Sequence, residues 1–138
     1  MKYILLLSAL TFIFSIGSSA QKKQLKIIFD ISASDTAEQS TVFRQVNNVL
    51  KASPKAKIEV VFHGKAVYAL VKDKTTFQDK IEELANKKQV VFAACNNSLI
   101  RLNLSKSELL SNAIIVPVAI LELADKQEKG WSYIKAGQ

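Results

Sequence analysis

Leu25-Lys26-Ile27-Ile28-Phe29-Asp30-Ile31 is a short, almost continuous apolar run rich in β-branched residues. A strand with one face in water alternates polar and apolar side chains, whereas a run like this suits a strand covered on both faces. The same pattern returns in Ile58-Glu59-Val60-Val61-Phe62, in Val90-Val91-Phe92-Ala93-Ala94 and in Ala113-Ile114-Ile115-Val116. Four buried strands are therefore expected. The segments between them carry helical spacing, so the chain alternates strand and helix. Alternation within one domain implies right-handed crossovers and a mostly parallel sheet between helical layers.

The helices announce their ends. Asp35 with Glu38 forms a capping-box pattern, after which Val42, Val46, Val49 and Leu50 mark one face of a helix that ends near Ser53-Pro54. Thr76 and Asp79 give a weaker start for a helix bearing Phe77, Ile81, Leu84 and Ala85. Beyond Cys95, Leu99, Leu102 and Leu104 mark a third region, and Ser105 with Glu108 is a second capping box for a short turn. Pro117 occupies the place of a first helical residue, where its missing N–H costs nothing, and Gly130 the place of a C′ residue. Trp131-Ser132-Tyr133-Ile134-Lys135 reads as a last strand. Alternation of its aromatic residues with Ser132 leaves an antiparallel edge strand as the alternative. The expected architecture is α/β and flavodoxin-like: a three-layer sandwich, doubly wound, with a sheet of about five strands.

The first twenty residues stand apart. Met1-Lys2, an apolar run from Tyr3 to Ile16 and the small residues Gly17-Ser18-Ser19-Ala20 have the three parts of a signal peptide. The run falls short of the roughly 20 residues that span a bilayer, so cleavage after Ala20 is expected rather than anchoring. Residues 1–20 are read as a signal peptide and residues 21–138 as a single domain of an exported protein, periplasmic or secreted. That length can bury its own core without metal or disulfide staples.

Composition excludes several functions. The chain is basic, with 19 lysines and arginines against 12 acidic residues. Its lysines are scattered over element ends and its only arginines are Arg44 and Arg101, which is a solvated basic surface rather than a nucleic-acid footprint. One cysteine and one histidine cannot build a Cys/His zinc site, and no carboxylate cluster has calcium-loop spacing. Gly64-Lys65-Ala66-Val67 is no phosphate loop, and no Gly-x-Ser-x-Gly elbow occurs. No cofactor or metal is expected.

What remains lies at one rim. In open parallel sheets, reacting groups collect beyond the carboxyl ends of the strands. Asp30, His63, Cys95 and Pro117 all fall there, on four different strands. Cys95, the sole cysteine, is either a thiolate activated by a helix opening at Asn96-Asn97-Ser98 or a packed small hydrophobe. His63, the sole histidine, is either its proton partner or a turn residue without an identifiable orienting group. Asp30 reads as a local turn or capping group. Trp131 and Tyr133 read as packing aromatics rather than a ligand stack.

Taken in order, Val60-Val61-Phe62-His63-Gly64, Val91-Phe92-Ala93-Ala94-Cys95-Asn96-Asn97-Ser98 and Ile115-Val116-Pro117-Val118-Ala119-Ile120-Leu121-Glu122-Leu123, then Gln127-Glu128-Lys129-Gly130-Trp131-Ser132-Tyr133-Ile134, resemble the DsrE/DsrF-like family. The resemblance runs from about Leu25 to Lys135. It implies a parallel α/β domain that assembles as a trimer or hexamer. In sulfur-relay members, a cysteine at the end of a central strand carries sulfur as a persulfide between a donor and an acceptor protein. Cys95 is the position that matches it. A thiol-based sulfur or redox carrier is thus expected ahead of a turnover enzyme, with a small-ligand-binding or assembly module as the alternative. The relay members are cytoplasmic, and an exported chain departs from them.

Overall fold

The computed structural model describes residues 24–137, so the signal peptide expected over residues 1–20 lies outside the described residues. The elements follow in the order β1 (Lys26–Ile31), α1 (Thr36–Ala52), β2 (Lys57–Phe62), α2 (Gln78–Ala85), β3 (Val90–Cys95), α3 (Asn96–Arg101), β4 (Ala113–Val116), α4 (Ala119–Glu128) and β5 (Ser132–Lys135). Two 3-10 segments, Gly64–Leu70 and Lys106–Glu108, complete the elements of the described residues. All four strand pairings are parallel and the sheet runs β4-β3-β2-β1-β5. The last strand is an edge strand, as its aromatic alternation implied, but it runs parallel to β1 rather than antiparallel. Strand order reverses at β1: the chain steps outward from β1 to β4 and then returns to β1's free side.

Local chemistry sets the helix ends. The Asp35 carboxylate accepts from the backbone N–H of Ala37 and Glu38, which satisfies two orphan donors of α1. Ser105 and Glu108 form the reciprocal capping box that opens the 3-10 turn at Lys106. Gly130 takes φ +79, the left-handed geometry that lets the chain leave α4. Pro117 does not open α4. Val118 stays extended (φ −141, ψ 119) as its N-cap and the helix begins at Ala119, so the proline marks the bend before the helix.

The two faces of the sheet are covered unequally. On one, Val42, Phe43, Val46 and Leu50 of α1, Ile81 and Leu84 of α2, and the buried Ala66, Val67, Ala69 and Leu70 of the first 3-10 segment pack on Phe29, Ile31, Val60, Phe62 and Phe92. Phe43 holds this layer together, with ring centroids 4.8 Å from Phe77 and 6.1 Å from Phe92. On the other face, Ile28, Val61, Ala93, Cys95 and Val116 meet Ala119 and Leu123 of α4, with Trp131 against them. This second face is thinner and leaves Ile114, Ile120 and Leu121 exposed. Among the described residues no helix is long and apolar enough to cross a membrane.

Candidate functional site

Three of the four rim residues gather on the thinly covered face: His63 and Cys95 line one cleft, and Asp30 is bonded to His63. Val61 pairs with Asp30 on one side and Ala93 on the other. His63 and Cys95 each lie two residues beyond that registered row, on neighbouring strands, and so share its face. His63, Gly64, Cys95, Asn97, Ser98, Arg101, Val118, Ala119 and Ile120 line one open cleft of about 320 Å³. Pro117 stays outside that lining, although its neighbours Val118 and Ala119 are part of it.

Cys95 closes β3 and is the N-cap of α3. Only 4 % of it is exposed, yet it borders the cleft, so the thiol is buried without being sealed. The backbone N–H of Ala119, the first residue of α4, donates to Cys95 Sγ at 3.4 Å. Burial pushes the thiol pKa up, but the Ala119 N–H, the Ser98 hydroxyl and the N–H groups of Ser98 and Asn97 outweigh it and hold the thiol below its ordinary value. Ser98 is itself fixed, because Gly64 N–H donates to its Oγ at 2.8 Å. That contact depends on the turn at Gly64, whose φ of +56 a residue with Cβ adopts only under strain.

His63 has the orienting partner that local spacing did not show. Its Nε2 stands 2.7 Å from Asp30 Oδ1. Asp30 is 6 % exposed and is no turn or capping group: its other oxygen accepts from the Tyr133 hydroxyl at 2.7 Å and from Lys135 Nζ at 3.3 Å. Lys135 is Asp30's register partner across β1 and β5 and also donates to Ser32 Oγ at 2.9 Å. Burial works against the carboxylate, but His63, Tyr133 and Lys135 together bring its pKa down to about 2. In return, donation to Asp30 pushes the Tyr133 phenol up to about 12. Trp131 follows its expected packing role, with Lys126 Nζ 4.6 Å from the centre of its ring.

Arg101 was not singled out by sequence, and its position at the end of α3 places it in the cleft lining. Among the described residues it makes no ion pair. The arrangement can hold a thiolate at the edge of a cleft that the His63 imidazole also lines. Among the described residues no group of three or more His, Cys, Asp or Glu side chains is placed to hold a metal ion.

Comparison with known proteins extends this picture. The model of the DsrE/DsrF-like family matches residues 12–136. The fold is similar to that of MTH1491, a protein of unknown function from Methanobacterium thermoautotrophicum, with a TM-score of 0.77 and 25 % identity over 81 % of this chain and 99 % of that one. It is also similar to the ychN protein from E. coli, with a TM-score of 0.66 and 14 % identity over 81 % of this chain and 98 % of the other, a likeness of fold alone. A stretch of 78 residues, 56 % of this chain, is 35 % identical to Ubinuclein-1 of Arabidopsis thaliana. It spans 11 % of the length of that curated relative.

Proposed function

Because the chain belongs to the DsrE/DsrF-like family, we propose that it works as a sulfur-relay carrier whose Cys95 holds sulfur as a persulfide. The observation that carries this reading is the setting of the sulfur: it ends β3, borders an open cleft and accepts N–H and O–H donors that favour its ionised form. In the reaction, the Cys95 thiolate attacks the outer sulfur of a donor persulfide, R–S–SH. A sulfur–sulfur bond forms at Cys95 and the donor's own sulfur–sulfur bond breaks. The electron pair leaves on R–S⁻, which takes up the proton released by Cys95, so that Cys95–SH and R–S–SH become Cys95–S–SH and R–SH. His63, in the same cleft, accepts that proton and returns it to the leaving thiolate. The reverse exchange hands the sulfur to an acceptor thiol. The protein is a carrier between partners and not a turnover enzyme.

Incubation with polysulfide followed by mass spectrometry tests the reading. One added sulfur on Cys95, absent from Cys95→Ser, is the expected result. No addition to a thiol that alkylates readily in the folded protein would overturn it. A second reading rests on the 4 % exposure of Cys95 and its packing against Val116 and Ala119: a ligand-binding or assembly module with an inert cysteine. Alkylation only after denaturation would select it.

Export and self-assembly belong to the same proposal. The signal-like pattern of residues 1–20 is the support for export to the periplasm or beyond the cell, and a mature N-terminus at Gln21 found by peptide sequencing is the expected result. Ile114, Ile120 and Leu121, exposed on and beside the thinly covered face, supply an apolar surface for a second copy. A trimer or hexamer in light scattering is expected, and a monomer with Ile120 and Leu121 unchanged would refute it.

A further inference from the structure

The carboxylate of Asp30 is used asymmetrically. Both donors from β5, the Tyr133 hydroxyl and the Lys135 ammonium, go to Oδ2, while among the described residues Oδ1 receives only His63 Nε2. One strand, β5, therefore fixes the orientation of a carboxylate on β1, and the carboxylate presents its remaining oxygen to His63, just past the end of β2. The His63 backbone is held independently, since its N–H donates to Ile31 O at 3.0 Å. An ionised carboxylate can only accept, so the proton of this bond belongs to the imidazole. With Nε2 committed as a donor, Nδ1 is the ring's only acceptor.

We propose that Asp30 is a positioning residue that holds His63 in the Nε2–H tautomer, making Nδ1 the proton acceptor for the thiol in the Cys95 cleft. The inference rests on the sulfur-carrier reading for its purpose, but not for its geometry. The step is a plain proton transfer: the Cys95 S–H bond breaks, its electron pair stays on sulfur, and the proton joins Nδ1 to give an imidazolium whose Nε2–H still faces Asp30. The ionised Asp30 then offsets the positive ring without taking a proton itself. The charged or titratable groups that face this pair are Tyr133 and Lys135 of β5, bonded to Asp30, and Cys95 on β3 and Arg101 on α3, which line the same cleft as His63. Asp30 thereby makes β5, the last strand in the chain, part of the proton machinery of a thiol on β3.

The chain has one histidine, so its imidazole nitrogens can be assigned without ambiguity in a nitrogen-15 spectrum of the whole protein. The neutral ring of the wild type is expected to show a protonated Nε2 and a bare Nδ1. In Asp30→Asn, Tyr133 and Lys135 still need an acceptor and retain the amide oxygen, which turns the amide NH2 toward Nε2. The tautomer is then expected to flip to Nδ1–H. The rate of Cys95 alkylation by iodoacetamide near neutral pH is expected to fall by about tenfold or more, a modest part of the roughly 10²–10⁴-fold that a positioned base supplies. A wild-type ring protonated on Nδ1, or a flipped tautomer with an unchanged alkylation profile, would overturn the inference. Should Asp30→Asn not fold, the wild-type spectrum and the alkylation profile of His63→Gln decide the matter, with the same loss of rate expected. Neither readout involves sulfur loading. A protein that accepts no sulfur but gives the expected spectra and rates would refute the carrier function and leave this inference standing.

Discussion

The Tyr133 hydroxyl donates to Asp30 Oδ2 across 2.7 Å, joining the last strand to the first at the carboxyl rim of the sheet. The bond lies beside the point where strand order reverses, because β1 has β2 on one side and β5 on the other. Crevices in open parallel sheets form at such reversals. Here the reversal is closed over by a buried carboxylate with three side-chain donors, and the open cleft lies one strand away, between β2, β3 and the start of α4.

Asp30 should make stability depend on acid pH. Its pKa is about 2 in the folded protein against 3.8 for a free side chain, so folding favours the ionised form. Its contribution is complete above pH 3.8 and disappears as pH falls toward 2. The shift corresponds to on the order of 2 kcal/mol. Asp30→Asn is therefore expected to lower the unfolding free energy by about that amount at neutral pH, and the gap between variant and wild type should close below about pH 2. Urea titrations at several pH values measure it. A gap that does not change with pH would mean that the loss is one of packing and not of charge.

Tyr133 supplies the alkaline counterpart. In residues 21–138 the tyrosines are Tyr68 and Tyr133, so Tyr68→Phe isolates the second. Its phenol should ionise near 12, because donation to Asp30 favours the protonated form. A raised folded-state pKa contributes stability that is present below the ordinary tyrosine value of 10.0 and is lost as pH rises toward 12. Phenolate absorbance reads the titration directly. With Asp30→Asn added, the midpoint should drop toward 10. A midpoint that stays in place would show the hydrogen bond to be dispensable.

The strands and most helix ends were readable from sequence because each depends on neighbours in the chain. Continuous apolar runs report burial on both faces, and Asp35, Ser105 and Gly130 act on groups within a few residues of themselves. The helical character of Gly64–Leu70 was not anticipated, since Ala66, Val67, Ala69 and Leu70 are buried in a 3-10 helix whose short period yields no clear amphipathic signal. Cys95 and His63 were singled out by position at strand ends, and both line the cleft. Asp30 was misjudged for a different reason: its partners lie 33, 103 and 105 residues away, and only strand order brings them to it. Whether Cys95 was buried or open was equally unreadable, because α4 covers it from a remote part of the chain.

Glu59 is the least conventional residue of the sheet. It lies mid-strand on β2, 2 % exposed, with Oε2 paired to Lys126 of α4 and Oε1 without a partner among the described residues. Lys126 also reaches Glu122 at 3.3 Å and covers the Trp131 ring. Lys126→Met would leave a buried carboxylate uncompensated, at an expected cost of about 3–5 kcal/mol. Glu59→Leu combined with Lys126→Met should recover most of that loss, because an apolar pair needs no charge compensation. Burial already raises the Glu59 pKa, so its protonated form is favoured on folding and the Lys126→Met penalty should shrink as the pH falls. Denaturation followed through the single tryptophan, Trp131, measures both variants. A double variant no more stable than Lys126→Met would show that the pair contributes through packing of the lysine stem rather than through its charge.

Ser98 connects the turn at Gly64 to the thiol. Its Oγ accepts the Gly64 N–H and its hydroxyl proton helps hold the Cys95 pKa down. Ser98→Ala removes both contacts with little change in volume. Loss of the acceptor leaves a half-buried N–H without a partner, an expected cost of about 1–2 kcal/mol. Loss of the donor should move the thiol pKa upward, though not by the whole shift, since the backbone N–H groups of Ala119, Ser98 and Asn97 remain. The pH dependence of iodoacetamide alkylation separates these effects from denaturation measured on the same sample. A destabilised variant with an unmoved alkylation midpoint would assign Ser98 to the turn alone, and the tuning of Cys95 would then fall to the backbone at the start of α3 and α4.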